Sequence, residues 1–213
     1  MMRNRTEERN AMVKSQLKIR GLFDRRVLTA MLYVPRELFI PPEYQDYAYE
    51  DFPVPIGYGQ TISQPYIVGF MLEALGLSGT ERVLEIGSGS GYQTALLSKL
   101  SREVWSIERI RGLHERAARI LVELDVSNVH LALGDGYLGM PEEAPFDAVI
   151  VSAAPPEVPE ALLRQLKNDG GILVCPVGPA GCQRLVRITR NGGTFESETL
   201  MDVAFVPLVH GRA

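Results

Sequence analysis

An α/β fold, built on a mainly parallel sheet flanked by helices and closed by an antiparallel hairpin, is what this 213-residue sequence predicts. Three observations carry that reading. Apolar runs of strand length alternate with helix-length segments between positions 82 and 177. The glycine-rich stretch Gly87-Ser88-Gly89-Ser90-Gly91 stands between the first such strand and the helix after it. Asn191-Gly192-Gly193 joins the last two apolar runs, as in a hairpin turn. A chain of this length buries roughly 70% of its unfolded surface as one domain. Here that domain is expected to span 1–213, with a helical and loop extension over 1–62 and an α/β core over 63–213 that carries the glycine-rich stretch.

Residues 7–33 read as two helices. Ala11, Met12, Ser15, Leu17 and Ile19 mark the apolar face of the first, and Val27, Leu28, Met31 and Leu32 that of the second. Gly21 separates them, and Asp24 is placed to cap the second with Phe23 as a hydrophobic staple. Prolines and glycines multiply over 34–59, predicting an extended, loop-rich connection with room for a functional flap. Ser63 then stands at the N-cap of a helix over 66–75. Strands over 82–86, 104–107, 129–132, 146–151 and 171–177 alternate with helices over 92–100, 113–124 and 157–166. A strand over 185–190 and its partner from 194 form the terminal hairpin.

With 46% hydrophobic and 23% charged residues, the composition is that of a globular domain and excludes a disordered chain. A net charge of −4 opposes attraction to a phosphate backbone. The basic residues near the start, Arg3, Arg5, Arg9, Lys14, Lys18, Arg20, Arg25 and Arg26, have no interleaved aromatics for base stacking, so they are expected to form a solvated helix face. No nucleic-acid partner is expected. No apolar run reaches membrane-spanning length, and no apolar segment follows the charged N-terminus, so a cytoplasmic protein without a membrane partner is expected. Cys175 and Cys182 read as reduced thiols, and no Cys/His spacing suits a metal. His114, His130 and His210 are scattered, as surface or packing residues are.

The glycine turn selects a ligand. A dinucleotide fingerprint needs a third glycine at position 92, where Tyr92 stands, whereas E-x-G-x-G-x-G from Glu85 resembles the S-adenosylmethionine loop of class I methyltransferases. Glu108, about 20 residues beyond the loop at the end of the second strand, is placed to accept both ribose hydroxyls. Gly134-Asp135-Gly136 follows the third strand, where a carboxylate can accept an adenine N–H. Ser152-Ala153-Ala154-Pro155-Pro156 follows the fourth and offers either a narrow rigid wall or an ordinary loop. Upstream, the segment from Pro55 to Pro65 leads into a helix N-terminus, whose free amides and positive dipole suit an anion. Ser63 can therefore cap the helix, touch a ligand, or both.

Taken together, Pro55-Ile56-Gly57, Gly59-Gln60-Thr61-Ile62-Ser63-Gln64-Pro65, the 83–92 glycine unit, Gly134-Asp135-Gly136, Ala144-Pro145-Phe146-Asp147 and Phe205-Val206-Pro207-Leu208 resemble the bacterial-type protein-L-isoaspartate O-methyltransferases. The likeness spans nearly the whole chain, and T-I-S-Q-P is its specific part. It implies a Rossmann-like class I methyltransferase fold and methyl transfer from S-adenosylmethionine, leaving S-adenosylhomocysteine, without a metal. The acceptor it implies is the free α-carboxylate of L-isoaspartyl residues in damaged proteins and peptides, whose ester closes to a succinimide. It also implies that Ser63 is the active-site serine. Ile62, Ser63, Glu85, Gly87, Ser88, Gly89, Glu108, Arg109, Asp135 and Gly136 would contact the cofactor, while Thr61, Ile62, Ser63 and Gln64 would line the substrate site. A monomer is expected.

Two other readings share the glycine loop. One is a small-molecule or nucleic-acid methyltransferase, against which no N/D-P-P-Y/F motif follows the fourth strand. The other is a non-catalytic cofactor-binding module.

Overall fold

The computed structural model describes residues 5–213, so Arg3 lies outside the described residues. Helix α1 (Thr6–Met12) runs into a π-helical segment, Val13–Leu17, and a 3-10 turn, Lys18–Arg20, before Gly21 ends it with φ 88°. A π turn takes in an extra residue and rotates the side chains beyond it about the helix axis. The inward face is therefore Met12, Val13 and Leu17, and the expected face is corrected: Ala11, Ser15 and Ile19 are exposed. Helix α2 (Arg25–Tyr33) is capped as expected, with Asp24 accepting the amides of Arg26 at 2.7 Å and Val27 at 3.1 Å. Phe23 is 75% exposed and does not close the staple.

The basic residues of this region do not form one solvated face. Arg9 donates to Tyr49 at 2.9 Å and Glu37 at 3.2 Å, and Arg26 donates to the carbonyls of Leu77 at 2.5 Å and Leu100 at 2.9 Å. Arg5 binds Glu8 and the Gln45 carbonyl, and Arg20 pairs with Asp51 at 3.0 Å. Their long stems carry charge to carbonyls and carboxylates of neighbouring segments, tying the extension to the core. Lys14, Lys18 and Arg25 remain exposed.

The 34–59 connection is more ordered than a loop. After 3-10 turns at Arg36–Phe39 and Pro42–Tyr47, strands β1 (Val54–Gly57) and β2 (Gln60–Ile62) pair antiparallel. Their turn residues Tyr58 and Gly59 both have positive φ, 56° and 70°, the type I′ geometry that suits a two-residue hairpin. Helix α3 (Pro65–Leu75) starts one residue before the expected 66, but its cap lies one residue beyond the expected Ser63. Pro65 occupies its first turn and confines Gln64 to extended backbone, so Gln64 is the N-cap and Ser63 is not.

The remaining elements are β3 (Arg82–Ile86), α4 (Tyr92–Leu100), β4 (Glu103–Glu108), α5 (Arg111–Glu123), β5 (Val129–Leu133), β6 (Ala148–Val151), α6 (Glu160–Arg164), β7 (Asp169–Val177), β8 (Gln183–Asn191) and β9 (Thr194–Val203). Helix α6 is shorter than expected because Pro156 and Pro159 hold the preceding chain out of helix. The seven strands β3 to β9 form one sheet in the order β5-β4-β3-β6-β7-β8-β9, parallel through β7 and antiparallel beyond it. Alternate residues of β3 feed opposite faces: Val83 joins the core that includes α3 and α4, and Leu84 and Ile86 join a second core with Val149 and Leu173. Strand order reverses between β3 and β6, which opens a crevice at their C-terminal ends. Among the described residues no helix is long and apolar enough to cross a membrane.

Candidate active site

The glycine turn leaves β3 at that crevice. Gly87 and Ser88 donate their amides to the Ile107 carbonyl on β4, at 2.8 and 3.3 Å. Gly87, Gly89 and Gly91 all lie at positive φ (87°, 52° and 88°), which side chains disfavour. Glu108, at the end of β4 and 5% exposed, then ties down both flanks of the crevice. Its Oε2 accepts Gly89 N–H at 2.8 Å and its Oε1 accepts Ile110 N–H at 2.9 Å. Each oxygen retains a lone pair, so the carboxylate can still receive two ligand hydroxyls.

Glu85 does not reach the crevice, contrary to the expectation from the resemblance. It is fully buried beneath the loop, where Oε1 accepts from Gln93 at 3.1 Å and Oε2 from Thr94 at 2.5 Å and Ser106 at 2.6 Å. As part of the inward stripe of β3 it supports the loop from below. Burial pushes its carboxyl up to about 7, against the three donors that pull it down. Gln93 extends this network by donating to Ser152 Oγ at 2.8 Å, at the end of β6.

Ile62, Ser63, Gly87, Ser88, Gly89, Glu108, Arg109 and Gly136 do line the cleft, as does Thr61. Asp135, next to the lining residue Gly136, is not itself among the lining residues. Its Oδ1 accepts the Tyr137 amide at 2.9 Å and its Oδ2 the Gly211 amide at 2.8 Å, with His210 Nδ1 at 3.4 Å. Burial opposes ionisation there, but the two amides and His210 outweigh it and hold the carboxyl below its ordinary range. Asp135 thus anchors the C-terminal segment, and His210 stacks on Tyr137 at 3.7 Å.

Gln64 faces a second groove, which also takes in Arg20 and 201–206. Thr61, Ser63, Ser152 and Val206 line both spaces and form the wall between them. Ser63 Oγ makes no hydrogen bond among the described residues, so nothing in the fold consumes its donor. Sequence reasoning missed Gln93, and it left Ser152 undecided between wall and loop. The rule that ligands gather at strand ends could have decided Ser152. Nothing in the sequence pattern signalled that 206–209 would line the cleft. Among the described residues no group of three or more His, Cys, Asp or Glu side chains is placed to hold a metal.

Tyr92 is buried where a dinucleotide loop would carry its third glycine, and Glu108, an acid that lines the cleft, sits at the end of the neighbouring strand. A Rossmann-like methyltransferase that uses S-adenosylmethionine is the class these features define. Comparison with known proteins narrows it: the family model described as protein-L-isoaspartate(D-aspartate) O-methyltransferase matches residues 7–213, and the chain belongs to that family. A protein-L-isoaspartate O-methyltransferase of Methanoculleus marisnigri is 50% identical over 202 residues, covering 95% of this chain and 91% of its own. One from Dictyoglomus thermophilum is 53% identical over 192 residues, covering 90% and 87%. A Plasmodium falciparum structure, described as such an enzyme in complex with S-adenosyl-L-homocysteine, superposes with a TM-score of 0.80 at 29% identity, covering 98% of this chain and 99% of that one. The chain is accordingly an enzyme that methylates isoaspartyl residues in protein repair, with S-adenosylmethionine as donor.

Proposed function

We propose that methyl transfer takes place at the wall that Thr61, Ser63 and Ser152 form between the two spaces, with the donor in the cleft and the isoaspartyl segment in the groove. The supporting observation is the placement of Ser63: it opens on both spaces and its hydroxyl is uncommitted. The cleft fits S-adenosylmethionine. Glu108 has acceptor capacity for ribose hydroxyls, and Ser88 Oγ is a buried polar atom without a partner among the described residues. When bound, S-adenosylmethionine supplies an electrophilic methyl group on a sulfonium, and S-adenosylhomocysteine remains.

The acceptor is the free α-carboxylate of an L-isoaspartyl residue in a damaged protein or peptide. A carboxylate is ionised at pH 7, its reference pKa being about 3 to 4, so the site needs no general base. Ser63 donates a hydrogen bond that aims one carboxylate oxygen along the transfer line and does not act as a nucleophile. Gly87, Ser88, Gly89, Glu108, Arg109, Gly136 and Ile62 shape the cofactor side. Glu85 and Asp135 act one layer back, through the loop and the C-terminal segment. Alignment and exclusion of water supply the rate, since aligned reactants gain several kcal/mol in effective concentration. The methyl ester then closes to a succinimide without help from the chain.

We read 1–213 as a single domain, because Met12, Leu17 and Met31 of the extension share one core with Leu72 and Leu96. We further propose, as the sequence leads one to expect, a cytoplasmic monomer without a metal, nucleic-acid or membrane partner. The test is transfer of radiolabelled methyl from S-adenosylmethionine to matched peptides containing isoaspartate or normal aspartate. Labelling confined to the isoaspartyl peptide supports the assignment, and equal labelling or none overturns it.

A further inference from the structure

Arg36 is wholly buried, and its contacts are unusual for a cation. Among the described residues its hydrogen bonds go to carbonyls: Nε donates to Ala48 O at 2.7 Å and Nη2 to Ser63 O at 2.9 Å. Nη1 is buried without a partner. The guanidinium lies 5.1 Å from the centroid of the Tyr92 ring, and the adjacent acid, Glu37, is turned away to Arg9 and Tyr49. Burial lowers its pKa to about 10, so it stays charged at neutral pH.

A buried cation without a carboxylate partner is costly, and two carbonyls with one aromatic face offset only part of that cost. Holding the Ser63 carbonyl needs no charge, because a neutral amide donor in the same place would suffice. A full positive charge behind the serine becomes useful when an anion arrives in front of it, where the low local dielectric strengthens the attraction.

We propose that Arg36 is a positioning residue with two effects: it fixes the backbone of Ser63, and its unpaired charge makes the site select an ionised carboxylate over a neutral group of the same shape. The proposal rests on the placement of the isoaspartyl carboxylate at Ser63. Charge and geometry separate under substitution. Arg36→Lys keeps the charge but cannot span both carbonyls, and Arg36→Gln keeps a donor but loses the charge.

The experiment uses two peptides identical except for an α-carboxylate or an α-carboxamide on the isoaspartyl unit. Dissociation constants for both are measured with S-adenosylhomocysteine bound, so that neither is methylated, on the native enzyme and the two variants, together with kcat, KM for the isoaspartyl peptide, and S-adenosylhomocysteine affinity. The native enzyme should prefer the carboxylate. Arg36→Gln should lose at least about tenfold of that preference and raise KM correspondingly, with cofactor affinity within about threefold of native. Arg36→Lys should keep the preference and lower kcat about tenfold. Retained preference in the Gln variant overturns the charge effect, and so does equal weakening of peptide and cofactor binding. If the Gln variant does not fold, the Lys variant decides: native kcat there, or a lost preference, overturns the proposal. A native enzyme that ignores isoaspartyl peptides refutes instead the functional reading beneath it.

Discussion

Replacing Glu108 by glutamine tests whether one carboxylate serves both the fold and the cofactor. Glutamine offers one acceptor and one donor where Glu108 offers two acceptors, so either Gly89 N–H or Ile110 N–H must face an NH2 group. A buried donor left without a partner costs about 1–3 kcal/mol. For a chain of this length that is a fall of roughly 2–12 °C in the melting temperature of the ligand-free enzyme. Losing charge-assisted acceptance of the ribose hydroxyls costs about 1.5–3 kcal/mol more in binding. Affinity for S-adenosylhomocysteine should therefore fall about 10- to 150-fold. Calorimetric titration and thermal unfolding of the same preparation measure both. A lowered melting temperature with affinity unchanged within threefold would refute the ribose assignment and leave Glu108 as a loop tie alone.

Gly91→Ala should destabilise by about 1–2 kcal/mol from its left-handed backbone. It should lose about 1 kcal/mol or more again, because the new Cβ would stand 3.0 Å from Ala117 Cβ. Gly192→Ala, with φ 62° and nothing within 4 Å, should show only the first effect; equal losses at the two positions in denaturant titrations would remove the packing argument. Glu85 makes a pH-dependent contribution. Its folded pKa of about 7 lies above its ordinary 4.5, so the folded state holds an extra proton between those values, and the stability this contributes is full below about 4.5 and lost as pH rises through about 7. Glu85→Gln cannot titrate, so the native-minus-variant stability should decline across that window; a flat difference would place the titration elsewhere.

The sheet was legible because its parallel strands read as short apolar runs alternating with helix-length segments, and the glycine loop at 87–91 marks the strand end where the cleft opens. The β1–β2 hairpin was not. Its strands are four and three residues long, Pro55 lies inside one, and its turn places Tyr58 at a φ that the tyrosine gives no reason to expect. The helical period over 7–20 misled because a π segment leaves no composition mark and moves the buried face by a residue. Ser63 read as a cap because serine before a proline-led helix usually is one, but Pro65 shifts that place to Gln64. Glu85 and Asp135 were found by their spacing from the glycine motifs. Spacing does not reveal whether a carboxylate faces the ligand or braces the residues that do. Arg36 drew no attention, since one arginine in a proline-rich stretch has nothing to distinguish it until the fold closes around it.

The central claim is that transfer occurs at Ser63, and single-turnover methyl transfer by Ser63→Ala tests it most directly. Since Ser63 is not the helix cap, removing its hydroxyl should leave the melting temperature nearly native. The rate of transfer to an isoaspartyl peptide should fall at least about tenfold, or about 1.4 kcal/mol in the barrier, with cofactor affinity little changed. A native transfer rate in a stable Ser63→Ala enzyme would contradict the account and move the reaction away from this wall.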